Sequence, residues 1–266
     1  MPLRPANRRI LLAAVMLAAL VTPAAAQRRA TGDDVAMIHD RCVAFARANP
    51  KEGLERAKLW RDQGGGVAAD HCIAMALYAL KDYRGAATHF EELATAMLGM
   101  PDAQRAQALD EAGQSWLMID ESGRAKAAFD AAIALNAKDP DLLIDRAEAY
   151  AGLKQYWDAI DDLNRAIELA PKRGDAYIYR GSAYRYVGAL DLAMEDVEHG
   201  LSLAADNVLG LLERGNLRRL KGDIAGARKD WRRVVALAPG TPAGQAAKAN
   251  LTKLGAAEEP AASAKK

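Results

Sequence analysis

The chain has 266 residues, 51% of them hydrophobic and 27% charged, which sets it apart from disordered chains and is ample for a core. Aromatics are only 6% and prolines number 10, so Ala and Leu carry the apolar share, a balance that favours closely packed helices. The formal charge of +1 becomes −2 once the three arginines of an N-terminal leader are removed, and neither value marks a nucleic-acid binder.

Residues 1–26 read as a signal peptide. Arg4, Arg8 and Arg9 precede the apolar run Ile10 to Val21, and Thr22-Pro23-Ala24-Ala25-Ala26 ends in small residues that a signal peptidase accepts. The run is short for a bilayer span, which needs about 20 residues, and no cysteine follows Ala26 to take a lipid. An uncleaved anchor is the alternative. The expectation is an exported protein with no stable membrane insertion after cleavage, in a periplasm or secreted.

Residues 27–66 are expected to form a capping unit: a helical hairpin, Asp33 to Asn49 and Glu52 to Asp62, followed by the joint Gly64-Gly65-Gly66. The two cysteines after the leader, Cys42 and Cys72, read as a disulfide in an oxidising compartment. Closing that loop restricts the unfolded chain by roughly 3.5 kcal/mol, provided the Cα atoms lie within about 7 Å. Two buried free thiols are the alternative.

From residue 67 to 241 the sequence repeats itself every 34 residues. Tyr150 and Tyr184, Ala159 and Ala193, Gly181 and Gly215, and Gly188 and Gly222 are each one period apart; Pro171 and Pro239 are two. Gly113, Trp116, Ala125, Phe129 and Ala132 carry the frame upstream, and His71 to Leu98 holds an earlier copy followed by five extra residues around Gly99-Met100-Pro101. At these positions the chain resembles the tetratricopeptide repeat family. The resemblance covers about two thirds of the chain and implies an all-α, right-handed α-solenoid of five stacked antiparallel helix pairs. Residues 242–255 are then a final capping helix, and 256–266 a tail with nothing to bury, expected to be disordered.

The Leu that usually precedes Gly in that family is here Arg146, Arg180 and Arg214, and sixteen residues after each lies Asp162, Asp196 or Asp230. The two earlier copies have Ala112 with Ala128 and Ile73 with His89, so the Arg and the Asp come and go together. They are expected to pair, forming a half-buried ladder between the two helices of each repeat.

No constellation of residues announces catalysis: there is no Walker A loop, dinucleotide fingerprint, HExxH or CxxC, and the four histidines are scattered. No cofactor, metal site or catalytic residue is expected. The resemblance implies instead a concave groove lined by the first helix of each pair, which in this frame presents Gln114, Glu148, Ser182 and Asn216 at one height and Leu117, Ala151, Arg185 and Arg219 a turn further on. Gln114, Glu148, Ser182, Arg185, Asn216 and Arg219 are the expected contacts for a protein or peptide ligand. A clamp for acidic chaperone tails is disfavoured, because Glu111, Asp145 and Glu213 crowd the neighbouring column. Val208 to Gly255 carries ten Lys or Arg against three acids, so a further acidic partner at this basic end is conceivable. The reading is a non-catalytic scaffold or adaptor of the cell envelope. Its alternatives are a self-associating structural subunit and, at low weight, an enzyme with an unrecognised site.

Overall fold

A computed structural model describes residues 32–263, with side chains from 34 to 255; the expected leader and the last three residues lie outside the described residues. Thirteen α-helices follow in order, and among the described residues there is no strand. The capping hairpin is α1 (Gly32–Ala48) and α2 (Pro50–Trp60), joined to the repeats by a π-helical turn over Arg61–Gly65. Gly64 and Gly66 there have φ of 93° and 53°, values that an L side chain rarely tolerates, so the glycine run lets α2 and the first repeat meet at a sharp angle.

Five helix pairs follow: α3 (Gly66–Ala79) with α4 (Tyr83–Ala96), α5 (Asp102–Leu117) with α6 (Ser122–Leu135), α7 (Pro140–Gly152) with α8 (Tyr156–Leu169), α9 (Gly174–Tyr186) with α10 (Leu190–Leu203), and α11 (Val208–Leu220) with α12 (Ile224–Leu237). The array closes with α13 (Pro242–Ser263), which starts where expected and continues as helix beyond Gly255. Among the described residues no helix is long and apolar enough to cross a membrane.

The sequence explains the pairing. Within a pair the backbones come close because small residues face large ones: a Cβ on Gly181 would lie 2.7 Å from Val197 and one on Gly215 2.5 Å from the Trp231 ring nitrogen. Phe90, Trp116, Phe129 and Trp231 are almost wholly buried in the core. The turn inside each pair takes one left-handed residue at the same repeat position: Lys81, Asp120, Lys154, Gly188 and Gly222. Asp82, Asn207 and Asp223 then cap the following helices, their side chains accepting from the N–H groups of Gly85, Gly210 and Gly226.

Each odd-numbered helix from α5 onward touches the next odd-numbered one, while the even-numbered helices approach each other less. The stack therefore curves with the odd helices on its inner, concave side. There, one column of side chains per helix faces a shared groove.

Candidate functional site

The expected ion-pair ladder is present. Arg146, Arg180 and Arg214 each hold their Asp with two hydrogen bonds, at 2.7 and 2.7 Å, 2.7 and 2.7 Å, and 2.9 and 2.8 Å. Arg146 and Arg180 also reach back to the preceding pair, donating to Asp130 and Asn164 at 2.8 Å each, so the ladder ties neighbouring repeats as well as partner helices. The aspartates are 3–7% exposed and fully paired, which assigns these residues to structure rather than to ligand binding.

Along the groove the sequence-chosen residues behave differently from one another. Arg185 is engaged within the chain: it forms an ion pair with buried Glu213 and lies over the Tyr186 ring at 4.2 Å. Asn216 accepts from Asn250 of α13 at 3.1 Å and donates to Glu213, so the capping helix fastens that end of the groove. Arg219 is exposed. Glu148 and Ser182 line a recess of about 180 Å³ with Ala151, Tyr179 and Tyr186, between α7 and α9. Tyr186, 56% exposed, stacks on Tyr156 with ring centroids 4.6 Å apart, giving this wall a fixed aromatic surface.

Gln114 marks the centre. Its amide donates to Asp110 at 2.9 Å and to Asp145 at 3.0 Å, on α5 and α7, and the two carboxyls lie in hydrogen-bond contact with each other. Burial first, then the charge of Asp145, pushes Asp110 up to about 8, which favours its protonated form at neutral pH. Burial also raises Asp145, against the opposing bonds from Asp110 and Gln114. Glu148 is raised by the desolvating walls of the concavity and then by Asp145, although its side chain reaches solvent. Tyr179 is pushed to about 12 by burial, then by Glu148 and Asp145. The middle of the groove thus holds acids that form no ion pair, with Arg173, itself bound to Asp141 and Asp175, acting on Asp145 only through its charge, whereas all four buried acids of the described residues, Asp162, Asp196, Glu213 and Asp230, hold an arginine.

The groove continues toward the cap as a hollow of about 470 Å³ walled by Met75, Tyr78, Phe90, Glu111 and Gln114. Glu111 belongs to a second arrangement that the sequence did not announce. It accepts from His71 Nε2 at 2.8 Å, which leaves His71 Nδ1 to accept from His39 Nε2 at 2.9 Å. The apparently scattered His39 and His71 are therefore neighbours, drawn together by the Cys42–Cys72 disulfide, whose Cα atoms are 6.1 Å apart. Each histidine lies within three residues of a bonded cysteine, and that was the signal available. Burial and then His71 lower the His39 pKa, so its neutral form is favoured.

The basic end is partly consumed in internal pairs. Arg214 and Arg218 both bind Asp230, Arg233 binds Asp206 and Lys221 binds Asp191. Arg228, Lys229 and Arg232 line a shallow depression around Ile224 on α12, away from the groove.

Residues 140–173, the α7–α8 pair, match the tetratricopeptide repeat family. Among solved structures the fold is similar to a thermophilic TPR protein of Thermus thermophilus, at 20% identity and TM-score 0.58 over 70% of this chain and 97% of that one. It is also similar to MamA (residue 41 to its end) from Desulfovibrio magneticus RS-1, at 22% identity and TM-score 0.55 over 65% and 94% of the two chains. No curated protein matches the chain significantly in sequence. These likenesses establish an all-α TPR-type solenoid.

Proposed function

We propose that the protein is a non-catalytic adaptor that holds an extended segment of a partner protein along its concave groove, and that the segment is basic. The observation that carries this reading is the group Asp110, Asp145 and Glu148, set between the Tyr78 and Tyr186 walls and held in no ion pair, although the charge of Arg173 reaches Asp145 and Arg47 lines the hollow beside Tyr78. Crowded carboxylates in a partly desolvated groove raise one another's pKa, and a lysine or arginine placed among them relieves that cost. The leader-like sequence of residues 1–26 and the Cys42–Cys72 bond support an exported, periplasmic location for this role.

The test is fluorescence anisotropy with two labelled ten-residue peptides alike in aromatic content, one carrying four lysines and the other four glutamates. The lysine peptide binds and the glutamate peptide does not. Asp145→Asn weakens the lysine peptide about tenfold, as expected when one charge pair near 1.4 kcal/mol is lost. Equal affinity for both peptides, or an Asp145→Asn protein that binds as tightly as the parent, would overturn the reading.

A further inference from the structure

Three departures from the repeat pattern meet at one place. The non-repeat hairpin supplies α1; the disulfide clamps α1 to α3; and the five residues inserted after the first pair place Met100 beside Met97, at the end of α4, and α5. Between them lies a pocket of about 590 Å³. A regular repeat array has no use for any of the three, so their convergence marks a built feature.

The pocket has two kinds of wall. Val35 and Ala36 of α1, Leu93 of α4, Met97 at its C-terminal cap, and Met100 of the insertion make an apolar cup. Opposite them stands the chain His39, His71, Glu111. Its volume falls within the 300–1,000 Å³ usual for small-molecule sites, and apolar lining with a few convergent polar groups is their common composition.

The polar wall selects the head group. Glu111 is the one Asp, Glu, Lys or Arg side chain lining the pocket, and its carboxylate has lone pairs beyond those used by His71 and by Gln107 at 3.4 Å. The carboxyls of Asp110 and Asp145 lie on the side of α5 next to it. An anionic head would meet this charge without a lining Lys or Arg to offset it. An ammonium group placed against Glu111 makes a charge-assisted hydrogen bond while its apolar body fills the cup.

We propose that this pocket, which adjoins the peptide groove at Glu111 but does not rest on the reading given to the groove, binds a small amphipathic amine, its ammonium on Glu111 and its hydrocarbon body against Met97, Met100 and α1.

The experiment is calorimetric titration of the full chain, disulfide intact, with 4-phenylbutylamine and with 4-phenylbutyrate, which share a body and differ in head group. The amine binds at least tenfold tighter than the acid and shifts the ring-proton resonances of His39 and His71. Ala36→Trp, a change on an exposed position of α1 that fills the cup from the side, weakens the amine at least tenfold. Glu111→Gln, which keeps a hydrogen-bond acceptor for His71, removes the preference for amine over acid. Asp145→Asn in the groove leaves amine binding within twofold. The proposal is overturned if the amine does not bind at millimolar concentration, if the two compounds bind equally, or if Ala36→Trp has no effect. Loss of amine binding in Asp145→Asn would place the amine on the groove acids and equally overturn it.

Discussion

The two halves of the solenoid solve the same problem by different means. From α7 onward each pair repeats one device, an arginine on the first helix gripping an aspartate on the second. The half from α1 to α6 lacks that device, with Ala112 opposite Ala128 and Ile73 near His89, and relies on contacts that occur once: a disulfide, a His–His–Glu chain and the Trp116 hydrogen bond to Glu91 at 2.8 Å. A repeated contact stabilises a stack without singling out any place in it, whereas contacts that occur once create places unlike the rest. In this molecule the pocket and the unmatched acids lie in the unrepeated half or at its boundary, where α5 meets α7.

The comparison can be broken at its strongest link on either side. Replacing Cys42 and Cys72 together by Ser releases a loop of 30 residues and is expected to cost roughly 3.5 kcal/mol in chemical denaturation, with the loss concentrated in amide exchange of α1 to α3. A uniform loss along the chain would show that the cap is not a separately held unit. Arg180→Ala leaves Asp196, 6% exposed, without its partner and should cost about 3 kcal/mol, centred on α9 and α10. Unchanged thermal stability would refute the ladder.

A smaller effect tests the boundary between the halves. The native value for Asp110, about 8, lies above the unfolded 3.8, so between roughly pH 4 and 8 the folded protein keeps a proton that the unfolded chain has released. Stability from this group is therefore greatest at acid pH and falls as pH rises through that window. Asp110→Asn should remove the dependence and gain about 1–2 kcal/mol at pH 8, with little change at pH 4. A variant less stable than the parent at pH 8 would mean that Asp110 has a cationic partner after all.

The smallest effect concerns the turns. In the first half Lys81 holds φ at 63° in the turn position that Gly188 and Gly222 occupy in the second, at 83° and 86°. Lys81→Gly should stabilise by about 0.5–1 kcal/mol, and Gly188→Ala should destabilise by about as much. Equal responses of opposite sign from the two halves would confirm that the turn geometry is common to both and only its residue differs.

What the sequence made legible is what its period encodes. The 34-residue frame located the helix pairs, the turn glycines and the Arg–Asp spacing of sixteen, because each depends on residues of one repeat. The disulfide was legible because the two cysteines that follow the leader-like segment leave one pairing. Contacts between repeats were harder to read. Asp110 and Asp145 are 35 apart, one step off the frame, so their approach depends on how α5 and α7 cross. Arg185 was expected to face a partner and instead turns to Glu213, 28 residues on. His39, His71 and Glu111 come from three helices, one of them outside the frame, and only the fold brings them to a common line.

The central claim is that the groove acids receive a partner's cation, and a charge exchange tests it most directly. Asp145→Lys should abolish binding of the four-lysine peptide, and a peptide with its central lysines changed to glutamate should bind the Asp145→Lys protein while failing on the parent. If the reversed pair restores binding, the charge contact is direct; if Asp145→Lys still prefers the lysine peptide, the partner does not meet the groove acids and the account of this site is wrong.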